Sequence, residues 1–140
     1  MDYTNEMMLE IDSQSRNESF ARMVIAGFVA QLDPTIEEIA DIKTAISEAV
    51  TNAIIHGYNC GKGKIKIYCK ISNRDVYIEV SDNGVGIENI EKAMEPLYTT
   101  RPELERSGMG FAFMEAFMDD LEVDSKVNVG TTIKMKKQIQ

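Results

Sequence analysis

Apolar residues recur along this chain with two periods. Ile65, Ile67, Cys69 and Ile71 alternate with Lys64, Lys66, Tyr68 and Lys70, and Val76, Ile78 and Val80 alternate with Tyr77, Glu79 and Ser81. A period of two belongs to a half-buried strand, and Ser72-Asn73-Arg74-Asp75 joins the two runs as a hairpin. Met7 to Asp12 also reads as a strand. Leu121 with Val123, and Ile133 with Met135, give two more around Val129-Gly130-Thr131. Each strand has a single apolar face. That predicts a sheet covered by helices on one side, with the other side wet or used for assembly. The same pattern disfavours a purely parallel, doubly wound fold.

Helical spacing fills the remainder. Ser15 followed by Glu18 has capping-box spacing. It opens a helix to about Leu32, where Asp33-Pro34 stops it, with Phe20, Met23, Val24, Phe28 and Leu32 at apolar helical spacing. Thr35 and Glu38 form a second capping box before a long helix to about His56, with Gly57 as a fitting C-cap. Its buried stripe is Ile39, Ile42, Ile46, Val50, Ala53 and Ile54. Glu48, Asn52 and His56 stand at i, i+4 and i+8 and stack on one line along a different face. Asn59 to Gly63 is a turn, residues 90 to 97 hold a short helix, and a further helix follows Gly110. The expected fold class is α+β: a two-layer α/β sandwich, with a mixed, mostly antiparallel sheet and helices on one face. With 140 residues and no internal repeat, one domain over residues 1–140 is expected.

Two glycine clusters interrupt this pattern. Asp82-Asn83-Gly84-Val85-Gly86 follows a strand, and Arg106-Ser107-Gly108-Met109-Gly110 precedes a helix. Glycine lets backbone approach a ligand closely, and a helix start aims unpaired N–H groups at what sits there, commonly phosphate. The first cluster reads as a base-recognition turn and the second as a phosphate cradle. A carboxylate at Asp82 accepts from the exocyclic amine of adenine, where guanine offers an opposing carbonyl. Taken locally, Asp82 is equally an Asx turn before Gly84. Glu48 and Asn52 are equally polar residues on a solvated helix face. Pro96 to Pro102 is an irregular stretch placed to act as a lid.

Composition narrows the classes. Apolar residues make up 44% and charged residues 27%, and 15 basic against 23 acidic residues leave a net charge of −8. That disfavours direct, sequence-independent nucleic-acid binding and suits a basic patch on a protein partner. No apolar run is long enough to cross a membrane, and the first residues are acidic and polar, so a cytoplasmic protein is expected. Cys60 and Cys69 lack metal-ligand spacing and are expected to be reduced thiols. There is no Gly-x-x-x-x-Gly-Lys-Ser/Thr phosphate loop, and no His-Arg-Asp or Asp-Phe-Gly set of the eukaryotic protein kinases.

Three blocks stand in order: Glu48-Ala-Val-Thr-Asn52-Ala-Ile-Ile-His56, Asp82-Asn-Gly-Val-Gly86 and Arg106-Ser-Gly-Met-Gly110, with Gly130-Thr131-Thr132 trailing. Together they resemble the gyrase, Hsp90, histidine-kinase and MutL ATP-binding superfamily over nearly the whole chain. Asn17 to Arg22, Ser47 to Tyr58 and Glu103 to Gly110 narrow the resemblance to the anti-sigma F factors of spore-forming bacteria.

That resemblance implies a dimeric serine protein kinase that uses Mg-ATP. It would phosphorylate an anti-anti-sigma factor on serine and hold the sporulation sigma factor inactive. Glu48 would be the general base, and Arg106 would add positive charge at the transferred γ-phosphate. Asn52 would ligate Mg²⁺. Asp82 would recognise adenine with Thr132 helping through water. His56, Gly84, Gly86, Thr99, Thr100, Ser107, Gly108, Met109 and Gly110 would complete the ATP/ADP site. Arg22 would contact both protein partners. Two alternatives stay open: a general-stress-response switch kinase of the same family, and an ATP-dependent binding module without kinase activity.

Overall fold

The computed structural model describes residues 3–95 and 110–140. In chain order the strands are β1 (Thr4–Asp12), β2 (Lys64–Ser72), β3 (Asp75–Asp82), β4 (Asp120–Lys126) and β5 (Gly130–Gln138). The helices are α1 (Arg16–Val29), α2 (Ile36–Asn52), α3 (Ile90–Ala93) and α4 (Gly110–Phe117). The sheet runs β1-β2-β3-β5-β4, and all four pairings are antiparallel. The predicted sheet-and-helix sandwich is therefore present, with an antiparallel ladder at every described pairing.

Strand alternation builds the core. Ile65, Ile67, Cys69 and Ile71 on β2, Val76, Ile78 and Val80 on β3, and Ile133 and Met135 on β5 are all buried on the face that meets the helices. Burying such a side chain contributes about 1.5–3 kcal/mol. The other face carries cross-strand rows of polar and aromatic residues. Tyr68 and Tyr77 meet there edge to face, with centroids 6.2 Å apart, and the Tyr68 hydroxyl donates to Glu6.

Helix α2 lies against this core through Ile42, Ala45, Ile46, Ala49 and Val50. Its start is the predicted capping box: Thr35 Oγ1 accepts from the Glu38 amide (3.1 Å) and Glu38 accepts from the Thr35 amide (2.9 Å). Ser15 differs. Its backbone is already helical, and its side chain makes no cap bond. Glu18, the expected partner, turns to α2, where it accepts from Thr51 Oγ1 at 3.1 Å. The buried stripe of α1 is Ala21, Ile25 and Val29, while Phe20 and Met23 are exposed. The buried stripe is therefore not the expected line of Phe20, Met23, Val24 and Phe28: the polar bonds of Glu18 and Arg22 to α2 turn the face with the smaller residues inward.

The far end of α2 tightens the frame of the site. After Asn52 the helix widens into a π turn over Ala53–Gly57, closed by the Tyr58 amide donating to the Ala53 carbonyl at 2.9 Å. Such widened turns re-aim side chains and concentrate at functional sites. Gly57 is not a left-handed cap: at this helix end the positive φ angles belong to Asn59 and Cys60, in the turn that follows. Behind α2, Lys137 of β5 donates to the last-turn carbonyl of Phe117 on α4 at 2.7 Å and lies 3.7 Å from Asp41. One partly buried cation thus ties both helices to the sheet.

Candidate nucleotide site

Glu48 and Asn52 in the last turns of α2 and His56 in the π turn that follows all line one cavity of about 530 Å³. The opposite walls are the loop after β3, including Val85, Gly86 and Ile87, the start of α4 at Gly110, Phe111 and Met114, and Val127 and Asn128 of the β4–β5 turn. Phe111 and Met114 are buried and give this wall an apolar floor. A cavity of this size with apolar walls and a few convergent polar groups is the ordinary form of a small-molecule site. Asn52 is 8% exposed, so its amide is held among core residues with little freedom.

Asp82 is the last residue of β3 and continues the inward face of Val76, Ile78 and Val80. It is 6% exposed and stands just outside the cavity wall, packed against the Gly57 backbone. A Cβ on Gly57 would lie 2.8 Å from the Asp82 carboxyl carbon, so only glycine leaves room there. The Gly84 amide donates to Asp82 Oδ1 at 2.8 Å, and the Val85 amide to the Gly57 carbonyl at 2.9 Å. Burial pushes the Asp82 carboxyl above the usual aspartate value, and hydrogen bonds from the Gly84 and Thr131 backbone pull it partly back. The Asx turn and the recognition carboxylate are thus one structure. One oxygen fixes the turn, and the buried carboxylate has a second.

Gly84 and Gly86 serve different ends. A Cβ on Gly84 would fall 2.0 Å from the Gly57 carbonyl oxygen, so close backbone approach requires the glycine. Gly86 has φ of 77° and lies against the Lys126 carbonyl, where conformation and space both exclude a side chain.

Thr132 is placed differently from the expectation. Its side chain points to the open face of the sheet, where its hydroxyl is 3.2 Å from Ser81 Oγ. Thr131 is the residue across the ladder from Asp82, and it is buried on the same face. Its hydroxyl meets Ser125 Oγ at 2.8 Å, and Ser125 Oγ accepts from the Ile87 amide at 2.8 Å. Thr131 and Ser125 were not singled out from sequence; strand parity with Ile133 was the signal available for Thr131.

Arg22 lies on α1. It donates to Ser47 Oγ at 3.0 Å and pairs with Glu18 at 3.5 Å. Ser47 directly precedes Glu48, so α1 is fastened to α2 beside the cavity. Thr99, Thr100, Arg106, Ser107, Gly108 and Met109, and the expected lid, lie outside the described residues. Among the described residues no group of three or more His, Cys, Asp or Glu side chains could enclose a metal ion. No helix among them is long and apolar enough to cross a membrane.

Comparison with known proteins matches residues 12–137 to the histidine kinase-like ATPase domain. Three relatives bear the name anti-sigma F factor. One from Clostridium kluyveri is 59% identical over 135 residues, spanning 96% of this chain and 95% of its own. One from Clostridium botulinum is 61% identical over 137 residues, spanning 97% and 96%. One from a Thermoanaerobacter species is 63% identical over 139 residues, spanning 99% and 97%. The crystal structure of the RsbU and RsbW domains of a Mycobacterium tuberculosis protein shares the fold, with a TM-score of 0.68 at 21% identity. The match covers 96% of this chain and 32% of that one.

Proposed function

The chain belongs to the anti-sigma F factors, within the histidine kinase-like ATPases, and from that premise we propose that it is a serine kinase and sigma-factor inhibitor. In this reading it transfers the γ-phosphoryl group of Mg-ATP to a serine of an anti-anti-sigma factor, and it binds and silences the sporulation sigma factor F. The observation that carries the reading is the line of Glu48, Asn52 and His56 facing one cavity whose far wall holds Gly86 and Gly110. The line supplies a base and a metal ligand, and the cavity of about 530 Å³ that it faces has room for the nucleotide.

Asp82 accepts from the adenine amine with its buried carboxylate, and Thr131 stands beside it. Asn52 offers a side-chain carbonyl to Mg²⁺, a hard cation that takes oxygen ligands and fills most of its sphere from phosphates and water. A single protein ligand fits a site with no three-residue acidic cluster among the described residues. Bound Mg²⁺ neutralises phosphate charge, and the described wall needs that: Glu48, Glu88 and Glu95 line it against one lysine, Lys92. Arg106, with the Ser107, Gly108 and Met109 amides, supplies the remaining positive charge in this proposal, and Thr99 and Thr100 complete the set of nucleotide-binding residues.

Glu48 orients the incoming serine hydroxyl and accepts its proton as the oxygen attacks the γ-phosphorus. The bond to the β–γ bridging oxygen breaks and ADP leaves. Partner docking at Arg22 brings that serine to the cavity, because Arg22 is bonded to the residue before Glu48. We place the protein in the cytoplasm as a homodimer over residues 1–140, with its two partners and without direct nucleic-acid contact.

Mixing the purified protein with γ-labelled ATP, Mg²⁺ and candidate anti-anti-sigma proteins tests the reading. Label on a partner serine is expected. ATP binding with no label on any partner would replace the kinase with a binding module whose nucleotide sets only its shape.

A further inference from the structure

Tyr58 makes a set of bonds that the nucleotide reading leaves unexplained. Its hydroxyl donates to the Lys64 carbonyl at 2.5 Å and accepts from the Asn83 amide at 2.7 Å. A phenol has one proton, so donation to a carbonyl leaves its lone pairs to receive the N–H. The directions of both bonds are thereby fixed. The Tyr58 backbone is equally tied: its amide closes the π turn after Asn52, and its carbonyl accepts from the Gly61 amide at 2.8 Å. A Cβ on Gly63 would sit 2.4 Å from the Tyr58 ring, so the ring has a glycine-shaped seat.

The Asn83 amide belongs to the peptide plane that leaves Asp82. The other edge of that plane, the Asp82 carbonyl, rests on Gly130, where a Cβ would fall 2.1 Å from the oxygen. One edge is therefore held by the Tyr58 hydroxyl and the other by close contact with β5. A peptide plane fixed at both edges fixes the backbone from which the Asp82 carboxylate projects.

We infer that Tyr58 is a positioning residue for base recognition. Its hydroxyl holds the Asp82–Asn83 peptide so that the buried carboxylate meets the amine edge of adenine. The inference rests on the adenine role proposed for Asp82 and adds a determinant that touches no part of the nucleotide. Tyr58 also joins the helix bearing Glu48 and Asn52 to the turn bearing Asp82, so it sets the two halves of the site against each other.

Calorimetric titration of ATP and GTP into the unmutated chain, Tyr58→Phe and Asp82→Asn tests this, with thermal denaturation of each. Tyr58→Phe keeps the ring on Gly63 and removes only the hydroxyl. The expected result is an ATP affinity about five- to tenfold weaker and a narrowed ATP-to-GTP ratio. A lowered Tm with ATP affinity and the ATP-to-GTP ratio untouched would make Tyr58 merely structural and overturn the inference. Equal loss for ATP and GTP would overturn it too, since a base-positioning role is selective. If the unmutated chain did not prefer ATP, or Asp82→Asn bound as it does, the adenine reading itself would fall and take Tyr58 with it.

Discussion

Asp82 and Thr131 face each other across β3 and β5 with both side chains buried on the helix-covered face, while their neighbours Ser81 and Thr132 meet on the open face. The two threonines are adjacent in sequence and on opposite sides of the sheet, so they should respond differently to mutation. Thr131→Ala removes a hydroxyl bonded to Ser125 beside the base turn, and ATP affinity should fall about five- to tenfold. Thr132→Ala should leave it within roughly twofold, because among the described residues its hydroxyl meets Ser81 on the open face, and Thr132 does not line the cavity. Parallel calorimetry of the two variants checks this, and a reversed order would move the water-mediated role back to Thr132.

The placement of these residues shows where the sequence was readable. Alternation of Ile133 and Met135 with lysines, carried back two residues, puts Thr131 inward and Thr132 outward, so parity held the answer while the motif alone did not. The line of Glu48, Asn52 and His56 was legible because helical spacing is local, and the cavity does gather all three. Gly57 was not legible. It reads as a helix cap, but a Cβ there would lie 2.8 Å from the carboxyl carbon of Asp82, which is distant in sequence and adjacent only after the sheet forms. Tyr58 eluded the sequence for the same reason, since its partners Lys64 and Asn83 belong to two different strands' ends. In α1 the larger apolar residues suggested the face of Phe20, Met23, Val24 and Phe28, but packing against α2 buries Ala21, Ile25 and Val29 and leaves Phe20 and Met23 exposed.

Burial sets a pH signature at Asp82. Its carboxyl is raised above the ordinary value of 3.8, so the folded chain holds this proton to higher pH than the unfolded chain. Between the two values the folded state binds more protons, and this group's contribution to stability falls as pH rises. Above the raised value the destabilisation is complete and constant. Asp82→Asn removes it, so the nucleotide-free variant should be at least as stable as the unmutated chain at neutral pH. The same variant should bind ATP roughly 10–100-fold more weakly through loss of a charged acceptor. Urea denaturation across pH, paired with ATP titration, checks both halves. Unchanged ATP affinity would remove Asp82 from base recognition.

The two helix starts give a test free of the site. Thr35 makes both bonds of its capping box, whereas Ser15 makes no side-chain cap bond at all. Thr35→Ala should cost ~1 kcal/mol of unfolding free energy, the usual worth of a satisfied cap. Ser15→Ala should be nearly neutral despite the same sequence signature. Denaturant midpoints at constant slope measure the difference, and equal losses would mean that Ser15 caps α1 in solution.

Glu48 and Asn52 stand one turn apart on α2 and line the same cavity, but the chemistry assigned to them separates cleanly by mutation. Glu48→Gln keeps the shape and the hydrogen-bonding reach of the side chain and removes its basicity. Affinity for Mg-ATP should stay within roughly twofold, since base and nucleotide contacts lie on different groups. Phosphoryl transfer to the partner serine should fall about 10²–10⁴-fold, the usual contribution of general base catalysis. Asn52→Ala should instead weaken Mg-ATP binding itself and raise the Mg²⁺ concentration needed for saturation, because the hard oxygen ligand is gone. Single-turnover transfer from labelled ATP, measured beside equilibrium binding, separates the two. A Glu48→Gln variant that transfers at the unmutated rate would leave the carboxylate without a role as base, and the serine hydroxyl would need its proton taken elsewhere in the cavity.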